Sequence, residues 1–98
     1  DGRNVTIFAD GEVDRSPCGT GTAARLAWLY AAGQIGIDQP YVHESIIGTC
    51  FTGRVLRETT VARHPAIVPE IAGRGHITGY HTFVVDPDDP VSNGFLVR

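Results

Sequence analysis

Only one stretch of this 98-residue chain reads as a helix of useful length, and the residues before it dictate how that helix begins. From Ala23 to Ala32 the chain is Ala, Leu, Trp and Tyr, with Arg25 as its single charge. This run follows directly on Asp14-Arg15-Ser16-Pro17-Cys18-Gly19-Thr20-Gly21-Thr22. Pro17 disfavours helical backbone at Ser16, and Gly19 and Gly21 permit tight backbone paths that a Cβ resists. The pattern predicts a helix over 20–32, with Gly33 as its C-cap. Ala23, Leu26, Ala27, Tyr30 and Ala31 line one face, and Ala24, Trp28 and Leu29 cover much of the rest. A helix apolar nearly all round is expected to be buried.

Most of the remaining chain reads as strand. Residues 4–9 carry β-branched Val5, Thr6 and Ile7 ahead of the turn dipeptide Asp10-Gly11. Further strands are expected over 41–47, 51–59 and 66–71, where Pro69 calls for an edge or a bulge. Residues 76–85 form the longest expected strand, with Gly79 as a bulge or close approach, and 94–97 a last short one. One helix among many strands implies α+β, a curved antiparallel sheet around a central helix, rather than alternating βαβ units.

The helix start is where chemistry can gather. Its unpaired N–H groups and about half a unit of positive charge suit a carboxylate or phosphate ligand and favour a thiolate. Cys18 therefore reads as a nucleophile or an acid/base, against the competing reading of a small buried thiol. Gly19 and Thr20 supply the N–H groups, unless this is an ordinary glycine turn. Asp14 is equally a common turn or cap residue. Gly19-x-Gly21-x-x-Ala24 with Asp38 formally fits a dinucleotide fingerprint. That fingerprint needs its first glycine right after a strand and parallel β/α units to follow, and neither is expected. His43 and His64 are isolated, and His76 and His81 fall on opposite faces of the expected strand, so no metal-ligand spacing emerges. Cys50 reads as a packed strand residue, and residues 86–90 as a solvated acidic turn.

Length allows one small domain with a large surface share. The net charge of −3 gives no electrostatic footprint for nucleic acid or an anionic membrane, and no apolar run reaches the roughly 18 residues of a bilayer span. The two cysteines lie in unlike settings, a turn and a strand, so reduced thiols and a cytoplasmic location are expected.

The stretch Asp14 to Thr22 resembles the second active-site motif of the proline racemase family, which includes hydroxyproline 2-epimerases and hydroxyproline dehydratases. Residues 5–10, 46–54, 75–83 and 86–96 resemble further family segments, so the likeness covers nearly the whole chain. It implies a diaminopimelate-epimerase-like fold, with residues 1–98 as the C-terminal portion of a longer polypeptide. The family's other catalytic motif, a Met-Cys-Gly-His-like segment, is absent from these residues. The resemblance implies that Cys18 is one of two acid/base cysteines facing the α-carbon of proline or 4-hydroxyproline, with no pyridoxal phosphate or metal. It also implies that Asp14 binds the substrate nitrogen, and that the Gly19 and Thr20 N–H groups bind the substrate carboxylate. The expected partners are that small molecule, the missing N-terminal half and a second copy in a homodimer. Two other readings stay open: a trans-3-hydroxyproline dehydratase sharing this half, and a non-catalytic domain that holds small anions.

Overall fold

A computed structural model describes residues 1–97 of the chain. Its elements are β1 (Gly2–Arg3), α1 (Gly19–Ala31), β2 (Tyr41–Glu44), β3 (Cys50–Val61) and β4 (His64–Ala72). The strands form one sheet in the order β1-β2-β3-β4, with β1 parallel to β2 and the other pairs antiparallel. The architecture is thus mixed α+β, as expected. No helix among the described residues is long and apolar enough to cross a membrane.

The β3–β4 hairpin is the largest unit. Ala62 and Arg63 join its strands with φ of 46° and 69°, the left-handed backbone that a two-residue turn needs to match strand twist. Opposite Pro69 the register jumps from Val55 to Arg57, leaving Leu56 as an extra residue. Pro69 thus sits beside a bulge on an edge strand, where its missing N–H costs little.

Helix α1 starts at Gly19, one residue earlier than expected, and ends as its sequence demands. Gln34 N–H donates to Leu29 at 2.9 Å and Gly33 N–H to Tyr30 at 3.0 Å, with Gly33 at φ 71°. These paired bonds close the helix in a Schellman motif that favours glycine at that position. The helix packs on β3 and β4. Leu26 and Leu29 meet Ile35, Tyr41 and Val55 in the core, flanked by Tyr30, Ile67 and Ile71. Gly53 makes the close approach possible, since a Cβ there would lie 2.8 Å from Leu26 Cδ1. Tyr30 Oη adds a tie, donating to Glu58 at 2.5 Å.

Three sequence expectations differ from the structure. The sheet covers one face of α1 only, and Trp28 stays 54 % exposed beneath the Arg25 guanidinium, 4.8 Å away. A single small sheet presents one surface, so it cannot enclose an all-round apolar helix. Residues 4–9 make one bridge, Ile7 to Val13, around the expected turn at Gly11, rather than a strand. Residues 76–85 and 94–97 form no strand, and Ile77, Tyr80, Phe83, Val84, Phe95 and Leu96 are exposed. Their β-prone composition is real, but a strand needs a neighbour to bond and a face to bury. The radius of gyration, 18.6 Å, exceeds the ~13 Å of a compact chain of this size, because this last segment runs clear of the sheet.

Candidate functional site

The loop into α1 climbs by side-chain-to-backbone bonds two residues apart. Asp14 Oδ1 accepts from Ser16 N–H at 2.8 Å, and Ser16 Oγ accepts from Cys18 N–H at 3.0 Å. Short polar side chains offer such local bonds in place of regular structure. Asn4 Nδ2 reaches across to the Pro17 carbonyl at 3.1 Å, and Thr49 Oγ1 donates to the Arg15 carbonyl at 2.5 Å. Thr49 is in turn held by Ser45 Oγ at 2.6 Å. The loop is thereby pinned to the chain on either side of β2.

Cys18 is the N-cap of α1, with φ 67° and ψ 123°. A non-glycine residue held on that side of φ costs on the order of 1–3 kcal/mol and persists only where its surroundings over-determine it. The surroundings here do so. Cys18 O accepts from Thr22 N–H at 2.9 Å and from Thr22 Oγ1 at 2.7 Å, and Cys18 Sγ accepts from Gly21 N–H at 3.4 Å. A Cβ on Gly21 would sit 3.6 Å from that sulfur. Among the described residues, the N–H groups of Gly19 and Thr20 have no acceptor, and both residues are exposed. The corner thus combines a half-buried sulfur, open helix-end donors and a carboxylate four residues upstream.

Cys18, Gly19 and Thr20 lie side by side where α1 begins. Asp14 stands at the foot of the same loop, half-buried, with Oδ1 engaged locally. Beside the loop lies an open cleft of about 550 Å³, lined by Arg15, Ser16, Thr49, Cys50, Arg74 and His76 among others. Cys18 and Cys50 are both free thiols. Cys50 begins β3 and is exposed, not packed as its strand setting suggests, because its side chain falls on the face of β3 turned away from α1.

Sequence reasoning missed His43, which it reads only as an isolated histidine without metal-ligand spacing. The residue is 4 % exposed, and Nδ1 lies 2.8 Å from Thr22 Oγ1. The period of two that puts Tyr41 and His43 on the inner face of β2, and runs on to buried Ser45 just past its end, is the signal that could have found it. Burial first, then the Arg25 guanidinium, pushes His43 below the ordinary imidazole range. The unfolded chain therefore takes up this proton before the folded one does. Stability should fall as pH drops below about 6.5, where a free imidazole titrates, and level off once the folded ring is protonated too. Urea denaturation of the full-length protein at about pH 7 and about pH 5.5 checks this, and a His43→Asn variant should lose that part of the pH dependence.

Together these features define an α+β protein in which a free thiol caps a helix whose first amides stand open to an anion. A family model described as proline racemase matches residues 1–96. The chain belongs to the proline racemase family. It is 58% identical to a proline racemase of Acetoanaerobium sticklandii over 95 residues, which are 97% of this chain and 28% of that protein. It is 54% identical to a trans-3-hydroxy-L-proline dehydratase of Burkholderia cenocepacia, again over 97% of this chain and 28% of that one. Among solved structures it is similar to a hydroxyproline epimerase from Agrobacterium vitis with bound trans-4-hydroxy-L-proline. That likeness has a TM-score of 0.78 at 43% identity, covering 97% of this chain and 27% of the other. The chain thus spans a little over a quarter of the length of the relatives it matches.

Proposed function

We propose that residues 1–98 are the C-terminal portion of an amino-acid racemase or epimerase that inverts the α-carbon of proline or 4-hydroxyproline. The observation that carries this reading is the Cys18 cap, with sulfur facing Gly21 N–H and the Gly19 and Thr20 amides open beside it. In this reading the substrate carboxylate sits on those two amides, which also stabilise the charge that develops when the α-proton leaves. Cys18 takes or returns that proton, and a second cysteine outside this chain serves the opposite face. Asp14 holds the substrate nitrogen through its carboxylate. The exposed face of α1 and the apolar side chains after residue 73 support a diaminopimelate-epimerase-like fold, in which the rest of the polypeptide completes the wrapping of the helix. The deciding experiment is deuterium exchange at the α-carbon of proline and of the hydroxyprolines in D₂O with the full-length protein. Exchange with inversion supports the assignment, and its absence for every one of these substrates rejects it.

Asp14 has two duties in this reading, and one substitution separates them. Asp14→Asn keeps an oxygen for Ser16 N–H while losing the charge. The apparent substrate affinity should fall about tenfold or more, the worth of a hydrogen bond to a charged group, with the melting temperature little changed. An unchanged KM would remove Asp14 from the site.

The second reading is a dehydratase, favoured by the similarity to the Burkholderia cenocepacia enzyme. It differs at the residue facing Cys18, which lies outside this chain. Loss of water from trans-3-hydroxy-L-proline, without inversion of proline, would select it.

A further inference from the structure

We infer that His43 is a positioning residue for Cys18, acting through the hydroxyl of Thr22. The inference rests on the acid/base role given to Cys18 above. Thr22 Oγ1 has one hydrogen and two close partners, Cys18 O at 2.7 Å and His43 Nδ1 at 2.8 Å. A carbonyl can only accept, so the hydroxyl hydrogen goes to Cys18 O. The bond to His43 must then run the other way, from Nδ1–H into Thr22 Oγ1. This direction selects the Nδ1–H form of the ring.

The consequence is directional. With an N–H already pointed at its oxygen, the Thr22 hydroxyl has one remaining orientation, and that orientation holds the Cys18 carbonyl. Thr22 is fully buried and His43 nearly so, so no water competes for either bond. His43 is itself held in mid-sheet, paired with Gly2 of β1 on one side and Phe51 of β3 on the other. The sheet thereby reaches through imidazole and hydroxyl to the carbonyl of a residue at φ 67°. From that backbone position Sγ accepts from Gly21 N–H at 3.4 Å. An apolar residue at position 43 would fill the same space, but it would free the hydroxyl to turn and the cap to relax.

The test compares variants in the full-length enzyme. His43→Asn retains an amide N–H close to the position of Nδ1, whereas His43→Leu retains none. Thr22→Val is near-isosteric and removes only the hydroxyl. His43→Leu and Thr22→Val should each lower kcat about three- to tenfold with KM within about twofold, the worth of one buried hydrogen bond. His43→Asn should restore most of the loss, and the double variant should be no worse than either single one. Iodoacetamide labelling of Cys18, read by mass spectrometry against Cys50 as internal control, should slow in the same order. Labelling needs no turnover, so a protein that fails to racemise still tests the positioning role and leaves the two claims separable. If His43→Leu does not fold, Thr22→Val carries the test. Equal kcat in the Asn and Leu variants would overturn the inference, as would normal labelling and turnover in Thr22→Val.

Discussion

On the proposed racemase reading, Cys18→Ser in the full-length protein is expected to lower kcat by about 10²–10⁴-fold, the range contributed by a positioned acid/base group. Serine keeps the size and can still accept from Gly21 N–H, so the fold and the cap should survive. What it loses is the thiol to which the proposed reading gives the proton transfer. Substrate affinity should change far less, because the carboxylate contacts proposed here come from the Gly19 and Thr20 backbone. Deuterium exchange and polarimetry on the purified variant provide the measurement. Turnover within a factor of a few of wild type would show that another group moves the proton.

The second large effect concerns stability. Leu26 is fully buried between α1 and the sheet, directly above Gly53. Leu26→Ala should destabilise by about 2–5 kcal/mol, from lost transfer free energy and from the cavity left behind. Partial collapse is limited here, because Gly53 has no side chain to swing into the gap. The helix would also lose the contact that seats its first turns, so Cys18 labelling should become less selective as stability falls. Urea denaturation followed by circular dichroism reads the first effect. A loss below about 1 kcal/mol, well under that range, would mean the contact is not the centre of this core.

The helix, its glycine stop and the cysteine at its start are local matters, and the sequence states them within one or two residues. Pro17, the Gly19/Gly21 pair and Gly33 act on their own backbone, so no distant partner is needed to read them. The hairpin was partly legible, through Pro69 and its bulge. Residues 76–85 show why the rest was not. Their apolar, β-branched composition specifies a strand only if a neighbour stands beside it, and among the described residues none does. His43 illustrates the same limit at the site. Nothing near it in sequence reveals that Thr22 lies 21 positions upstream and within hydrogen-bond reach. Even Asp14 was legible only as a pair of alternatives, and the local bond to Ser16 adds the turn role without removing the other.

The fastening of the thiol loop has a kinetic side. The β3–β4 hairpin closes across a two-residue turn, an event of microseconds that needs almost no search. The bonds that seat the loop join partners far apart in the chain, Arg15 to Thr49 across 34 positions and Thr22 to His43 across 21, and each must first overcome the entropy of bringing remote segments together. The sulfur is therefore expected to reach its place after the hairpin has closed. A newly made or refolding chain carries an unguarded thiol for as long as that takes, so a reductant during refolding matters more to recovered activity than to recovered secondary structure.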